Sequence, residues 1–75
     1  MANSAPIDDV SADGEVIRLG QFLQVAGLVD SGGEAKEAIR QGEVVVNGEV
    51  DLRRGRQLRA GDVVEFAGRR ARVSD

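Results

Sequence analysis

The stretch Ser31–Gly48, SGGEAKEAIRQGEVVVNG, contains the signals for a short helix, a strand and a tight turn. Ser31 followed three residues later by Glu34 is typical of a capping box, in which two side chains satisfy free backbone N–H groups at a helix start. Gly42 is expected to end this helix, because glycine readily adopts the left-handed conformation found at many helix ends. A run of valines then predicts a strand, and the closing Asn-Gly dipeptide strongly favours a two-residue hairpin turn.

The helix of this stretch has one apolar face and one cationic face. Ala35, Ala38 and Ile39 recur with the spacing of a buried helix face. Lys36 and Arg40 are four residues apart, so they lie together on a different face. The stretch therefore predicts a small scaffold that presents cations beside a rigid turn.

Upstream, the sequence predicts a second helix and a corner between the two. Apolar residues with helical spacing indicate a helix of about two turns, formed around Leu19, Phe22, Leu23 and Ala26. Gly27 is its expected end, and residues 15–18 are expected to form a short edge strand before it. Leu28 or Val29 is expected to fill the corner between the helices.

Downstream, the pattern predicts strands and a basic loop. Residues 49–50 are expected to return along the valine strand, and residues 52–58 (LRRGRQL) to form a loop held by a leucine at each end. Residues 63–66 and 69–73 indicate a hairpin in which Glu65 lies opposite Arg70. The result is an α+β domain, with two short helices forming a helical corner packed on a small antiparallel sheet.

Charge is distributed unevenly along the chain. The net charge is −3, yet residues 1–17 contain four acids and no base, whereas residues 53–72 contain seven arginines and two acids. A ligand responds to the local field, so this distribution favours a polyanion as partner. The alternative is a solvated cationic face that only balances nearby carboxylates. Residues 1–13 are acidic and without period, which predicts a disordered tail before a domain spanning residues 14–75.

Composition excludes several classes of function. The chain of 75 residues forms one small domain, and it contains no cysteine and no histidine. It therefore lacks the commonest metal ligands and the commonest general base, and we expect no catalytic activity, no metal, no other cofactor and no small-molecule substrate. No apolar run is long enough to cross a membrane, and no signal-peptide pattern is present, so we expect a cytoplasmic protein.

The small number of aromatic residues narrows the ways in which the chain could bind a nucleic acid such as RNA. Only Phe22 and Phe66 are aromatic, and both occupy positions predicted to lie in the core. Proteins that read single strands stack bases on exposed rings. Any RNA partner should therefore be recognised through its phosphates and the shape of a folded segment.

The order of these motifs resembles the RNA-binding domain named after ribosomal protein S4, and especially its small, free-standing bacterial members. The resemblance covers residues 15–73, and it is carried by the segments RLGQFLQVAGL, SGGEAKEAIRQG, VVVNGEV, LRRGRQL and AGDVVEF. It implies a non-catalytic module that binds structured RNA, ribosomal or transfer RNA, through the second helix and the hairpin and loop that follow. We expect such a module to act as a monomer.

The resemblance also implies particular contact residues. Carried over by position, these are Ser31, Lys36, Arg40, Asn47, Arg53 and Arg54. The charge pattern alone adds Arg56 and, after the loop, Arg59, and the loop arginines are expected to reach round to the cationic helix face. The alternative function is a protein-interaction module that uses the same arginine-rich surface to dock an acidic partner.

Four positions depart from the pattern of the family that the chain resembles. Many members have arginine where this chain has Gly32, aspartate where it has Gly20, a basic residue where it has Val45 and histidine where it has Glu43. These departures predict weaker RNA binding or a surface used for a protein partner.

Overall fold

The computed structural model describes residues 7–12, 14 and 16–74 of the chain. In chain order the elements are β1 (Ile7–Ser11), β2 (Ile17–Arg18), α1 (Leu19–Val25), α2 (Gly32–Arg40), β3 (Val45–Val46), β4 (Glu49–Val50), β5 (Gln57–Leu58), β6 (Val63–Phe66) and β7 (Arg69–Ser74). Five strands form a sheet in the order β1-β7-β6-β3-β4, and β2 pairs antiparallel with β5. The predicted α+β architecture is confirmed, and the sheet is antiparallel except where β1 runs parallel to β7.

The predicted helical corner forms between α1 and α2. The buried face of α1 is formed by Leu19, Phe22 and Leu23 and packs into the core. Gly27 ends this region with φ +73°, and the backbone N–H groups of Leu28 and Val29 both donate to the Leu23 carbonyl, at 2.9 and 3.2 Å. Because Leu28 and Val29 are both buried, they fill the corner together.

The start of α2 is capped as predicted, with one difference. Ser31 Oγ accepts a hydrogen bond from the Glu34 backbone N–H at 3.1 Å. Glu34 Oε1 accepts from the backbone N–H of Asp30 at 2.8 Å, one residue earlier than a capping box requires. Both carboxylate and hydroxyl still satisfy N–H groups at the helix start, and Gly42 follows the helix with φ +76°.

Tight turns set the register of the sheet. Asn47 and Gly48 both have positive φ, 52° and 86°, as the two-residue hairpin turn between β3 and β4 requires. The hairpin of β6 and β7 has the predicted register, with Glu65 opposite Arg70. Val64, Ala71 and Val73 from that hairpin are buried against the helices, and Phe66 is half-buried at the margin of the core.

The prediction that leucines hold both ends of the basic loop is wrong at one end. Leu58 is 3% exposed because β5 pairs with β2 and turns this side chain inward, whereas Leu52 is 63% exposed. Leu52 follows β4 and approaches Gly42 at the surface. Backbone hydrogen bonds and a buried carboxylate, described below, hold that end of the loop instead.

The prediction of a disordered tail over residues 1–13 does not hold for residues 7–12. Residues 7–11 form β1, which covers the edge of β7, and the Ala12 backbone N–H donates to the Ser74 carbonyl at 3.1 Å. Val10 packs against the core, and Asp9 accepts hydrogen bonds from Arg72. The pairing that stabilises this strand is with β7, at the far end of the chain, so the composition of residues 1–13 could not indicate it. The rest of the predicted tail, residues 1–6 and 13, lies outside the described residues.

None of the helices among the described residues is long and apolar enough to cross a lipid bilayer.

Candidate nucleic-acid interface

Residues 51–56 connect β4 to β5, and we call them loop 51–56. This loop lies against the first turn of α1. The backbone N–H groups of Leu19 and Gly20 donate to the carbonyls of Arg56 and Arg54, at 2.8 and 3.0 Å. These bonds satisfy two of the N–H groups that a helix start leaves without partners. A Cβ atom at Gly20 would lie 2.6 Å from Arg54 Cγ, so any larger residue would force the Arg54 side chain to move. Gly20, which the sequence marked only as a departure, therefore helps to place Arg54.

Three of the predicted RNA-binding residues converge on one surface, which we call the α2 patch. Lys36 and Arg40 extend from α2, Arg54 extends from the loop, and together they line a shallow depression of about 370 Å³. Its remaining lining residues are Ile39 and Leu52. Of the loop arginines, Arg54 is thus the one that reaches the cationic helix face as expected.

Arg40 is partly neutralised within its own helix. Its guanidinium donates to both carboxylate oxygens of Glu37, and this hydrogen bond, followed by the charge of Arg40, lowers the pKa of Glu37. The side chains are 72% and 47% exposed. Exposed ion pairs of this kind contribute little to stability, so a phosphate can compete for the guanidinium.

A second depression, of about 520 Å³, lies beside the α2 patch and shares Arg54 with it. Its lining residues include Arg18, Gln21, Gln24 and Gly32. A Cβ atom at Gly32 would meet only the Gln24 side chain, with Oε1 nearest at 3.6 Å, so this position has room for a side chain. Arg18 was missed in the sequence because it stands alone between apolar residues, without the cluster of charge that marks the loop.

Arg53 and Arg56 bind a buried carboxylate instead of joining the α2 patch. Asp51 is 5% exposed. Its Oδ1 accepts from the backbone N–H and Nε of Arg53 at 2.9 and 3.1 Å, and its Oδ2 accepts from Arg53 Nη2 and Arg56 Nη1 at 2.9 and 2.7 Å. These hydrogen bonds, first of all from the Arg53 side chain, hold the pKa of Asp51 well below its usual range although burial raises it.

The predicted residues therefore fall into two groups that line separate depressions. The second group, which we call the Arg59 depression, is lined by Arg53, Gly55, Arg56, Gln57, Arg59 and Asp62 and has a volume of about 590 Å³. Gly55 is shared with the depression that Arg54 and Arg18 line. The expectation that the loop arginines reach round to α2 is wrong for Arg53 and Arg56, because both bind Asp51 and neither lines the α2 patch.

Ser31 and Asn47, two further residues predicted to bind RNA, both make hydrogen bonds within the fold. Ser31 caps α2. Asn47 Nδ2 donates to Asp62 Oδ1 and Asn47 Oδ1 accepts from the Val63 backbone N–H, each at 3.0 Å. These bonds tie the β3–β4 turn to the start of β6. A role for either residue in RNA binding stays a prediction.

Two arginines outside both groups have partners elsewhere in the fold. Arg69 Nη1 donates to the Gly27 carbonyl at 3.0 Å, at the end of α1 far from the loop. Arg72 pairs with Asp9 of β1, with Nε at 2.7 Å from Oδ1. These contacts hold parts of the fold together.

Comparison with known proteins gives consistent matches. The model of the family described as S4 domain matches residues 10–74. A probable ribosome maturation protein, RlbA, from Bacillus subtilis (strain 168) is 54% identical over 59 residues, which are 79% of this chain and 83% of that protein. A segment of tyrosine–tRNA ligase from Burkholderia lata is 39% identical over 70 residues, which are 91% of this chain and 17% of the ligase.

A solved structure matches the whole chain. It is the solution structure of YbcJ from Escherichia coli, described as having an ALFAL motif involved in RNA binding. The TM-score is 0.71 with 31% identity, and the match covers 100% of this chain and 96% of that one. In a sequence comparison YbcJ from strain K12, named a putative RNA-binding protein, is 39% identical over 57 residues, 76% of this chain and 81% of YbcJ.

Proposed function

The chain belongs to the S4 domain family, and from this membership we propose that it is a non-catalytic module that binds structured RNA mainly through phosphates. The proposed target is ribosomal or transfer RNA. Two relatives support this choice, because one is named a probable ribosome maturation protein and another a putative RNA-binding protein.

The α2 patch is the observation that carries the proposal. Lys36, Arg40 and Arg54 come from two different elements and line one depression, so a single ligand there can contact three cations. The guanidinium of arginine can donate two parallel hydrogen bonds to phosphate oxygens, which makes such a surface suitable for an RNA backbone.

The aromatic residues favour phosphate contacts over base stacking. Phe22 is fully buried and Phe66 is half-buried against the core, and the sequence contains no other aromatic residue. Sequence-specific reading of unpaired bases usually needs exposed rings. We therefore assign recognition to phosphates and to the shape of a folded RNA.

One observation favours a second candidate, a protein-interaction module that docks an acidic partner. Leu52 and Val50 are 63% and 55% exposed, and Leu52 lines the α2 patch beside its cations. Apolar side chains next to arginine are typical of protein interfaces. Contacts to an acidic protein would also weaken with salt, but release of counterions from an RNA backbone makes log affinity fall linearly with log salt concentration, by about 0.9 per phosphate contact on a duplex, and this linear slope separates the two candidates.

The test replaces the two helix cations of the α2 patch. We expect the double variant Lys36→Gln with Arg40→Gln to bind a labelled RNA hairpin about tenfold more weakly, since two exposed phosphate contacts are lost. Fluorescence anisotropy measures the affinity, and circular dichroism checks that the fold is kept.

The matched control is Arg69→Gln with Arg72→Gln, which removes the same charge from β7. We expect its affinity to stay close to that of the unmodified chain. Equal losses in both double variants would mean that net charge alone governs binding, and the α2 patch would then be rejected as the interface.

A further inference from the structure

We propose that the Arg59 depression is a second phosphate site, which binds the backbone of the same RNA as the α2 patch but shares no lining residue with that patch. The proposal rests on the proposed RNA-binding function and adds a second contact region to it.

The buried carboxylate of Asp51 organises this site. An unpaired buried charge would be very costly, but Asp51 accepts four hydrogen bonds and meets two guanidiniums. The side chains of Arg53 and Arg56 are therefore fixed before a ligand arrives, which lowers the entropy that binding must remove.

Donors remain available after Asp51 is satisfied. A guanidinium has five N–H donors, and the Arg53 side chain uses two on Asp51 while Arg56 uses one. The Arg53 side chain is 72% exposed. Among the described residues the Arg59 side chain donates no hydrogen bond, so its whole fork can face a ligand.

The charge of the site fits a phosphodiester. Three arginines face two carboxylates, Asp51 and Asp62, which leaves one net positive charge. Asp62 is directed to other partners, because its Oδ1 accepts from Asn47 Nδ2 and its Oδ2 accepts from the Arg59 backbone N–H at 2.9 Å. A monoanionic phosphate would neutralise the depression.

Gly55 gives an RNA backbone a path between the two regions. It lines the Arg59 depression and also the depression that Arg54 and Arg18 line. A Cβ atom at Gly55 would have nothing within 4 Å, so the surface there is low and open. An RNA that crosses the loop at Gly55 meets Arg54 on one side and Arg53 and Arg56 on the other.

The first test uses inorganic phosphate and the full chain. In NMR titrations at constant ionic strength, we expect phosphate to shift the backbone amide signals of residues 53–59, and we expect this response to be greatly reduced in Arg59→Gln. The control is Arg69→Gln, which removes one arginine near Gly27, at the opposite end of α1 from the loop. Equal responses in Arg59→Gln and Arg69→Gln, or no response in the unmodified chain, would overturn the site.

The second test uses the labelled RNA hairpin. We expect Arg59→Gln to weaken binding roughly threefold to tenfold and to reduce the log–log salt slope by about 0.9, the value for one phosphate contact on a duplex. Combined with Lys36→Gln and Arg40→Gln, the losses should multiply, because the two regions are separate.

The outcomes distinguish the site from the proposed function. If Arg59→Gln binds RNA as tightly as Arg69→Gln while the α2 patch variant is weakened, the second site is refuted and the proposed function stands. If the chain binds phosphate at residues 53–59 but does not bind RNA, the anion site is supported and the proposed function is refuted.

Discussion

Asp51 is the buried carboxylate to which two arginines of loop 51–56 are bound. Arg53 and Arg56 bind this carboxylate, while Arg54, between them in sequence, lines the α2 patch. The local spacing Asp51-x-Arg53 could have indicated this pair, since alternate residues of an extended segment point to the same side. The charge count alone treated all three arginines as equivalent.

Replacing Asp51 by asparagine tests its structural contribution. We expect Asp51→Asn to lower the free energy of unfolding at pH 7 by about 1 to 3 kcal/mol, because the amide replaces a charged acceptor with a donor that faces two guanidiniums. Urea unfolding measures the change. The control is Glu49→Gln, an exposed carboxylate of β4, for which we expect little change; an equal loss in both variants would contradict the assigned role.

The acid dependence of stability follows from the same residue. The pKa of Asp51 is lowered in the folded chain, so the unfolded chain takes up a proton first as the pH falls. The stabilisation is therefore complete above the ordinary pKa of about 4 and is lost as the pH falls below it. We expect a smaller acid-induced loss in Asp51→Asn than in the unmodified chain.

The reason for a glycine at position 20 is visible only in the folded structure. From the sequence, Gly20 is a glycine at a helix position, where glycine normally weakens a helix. Glycine fits this position because Arg54, more than thirty residues later in the chain, packs its side chain against it. The Gly20 backbone N–H also donates to the Arg54 carbonyl. No local pattern contains that information.

At the level of elements, the second helix and its turn were predictable because their signals are local. The Ser31 cap, the apolar spacing of α2 and the Asn47-Gly48 turn each act within a few residues, and all three appear in the structure. By contrast, β1 pairs with β7 at the other end of the chain. Composition predicted disorder for that segment, because it cannot report a partner so distant in sequence.

Removing residues 1–12 tests the contribution of β1. We expect the truncated chain to unfold at a lower temperature, since the edge of β7 loses its hydrogen-bonding partner and Val10 no longer packs on the core. Affinity for RNA should change little, because β1 takes no part in the α2 patch. Thermal unfolding followed by circular dichroism measures the first effect.

A point variant separates strand pairing from the ion pair at this edge. Asp9→Asn removes only the contact with Arg72, in which both side chains are about half exposed. Such pairs contribute little, so we expect a shift much smaller than that of the truncation. An unchanged melting temperature in the truncated chain would show that β1 adds nothing to stability.

At the scale of the whole molecule, a net charge of −3 coexists with two separate depressions lined by arginine. Some of the acids have partners away from these regions, as Asp9 does with Arg72 at the sheet edge. Folding therefore separates the charges that composition averages. The sequence could locate the basic segments, but their division into two groups depends on the position of Asp51.

The central claim is that this surface binds RNA through phosphates, and the salt dependence of RNA affinity tests it most directly. With an RNA hairpin and fluorescence anisotropy between about 50 and 200 mM salt, we expect log affinity to fall linearly with log salt concentration, with a slope of roughly −3 to −4 for about four phosphate contacts. A slope near zero, or no binding to RNA at low salt, would contradict the account.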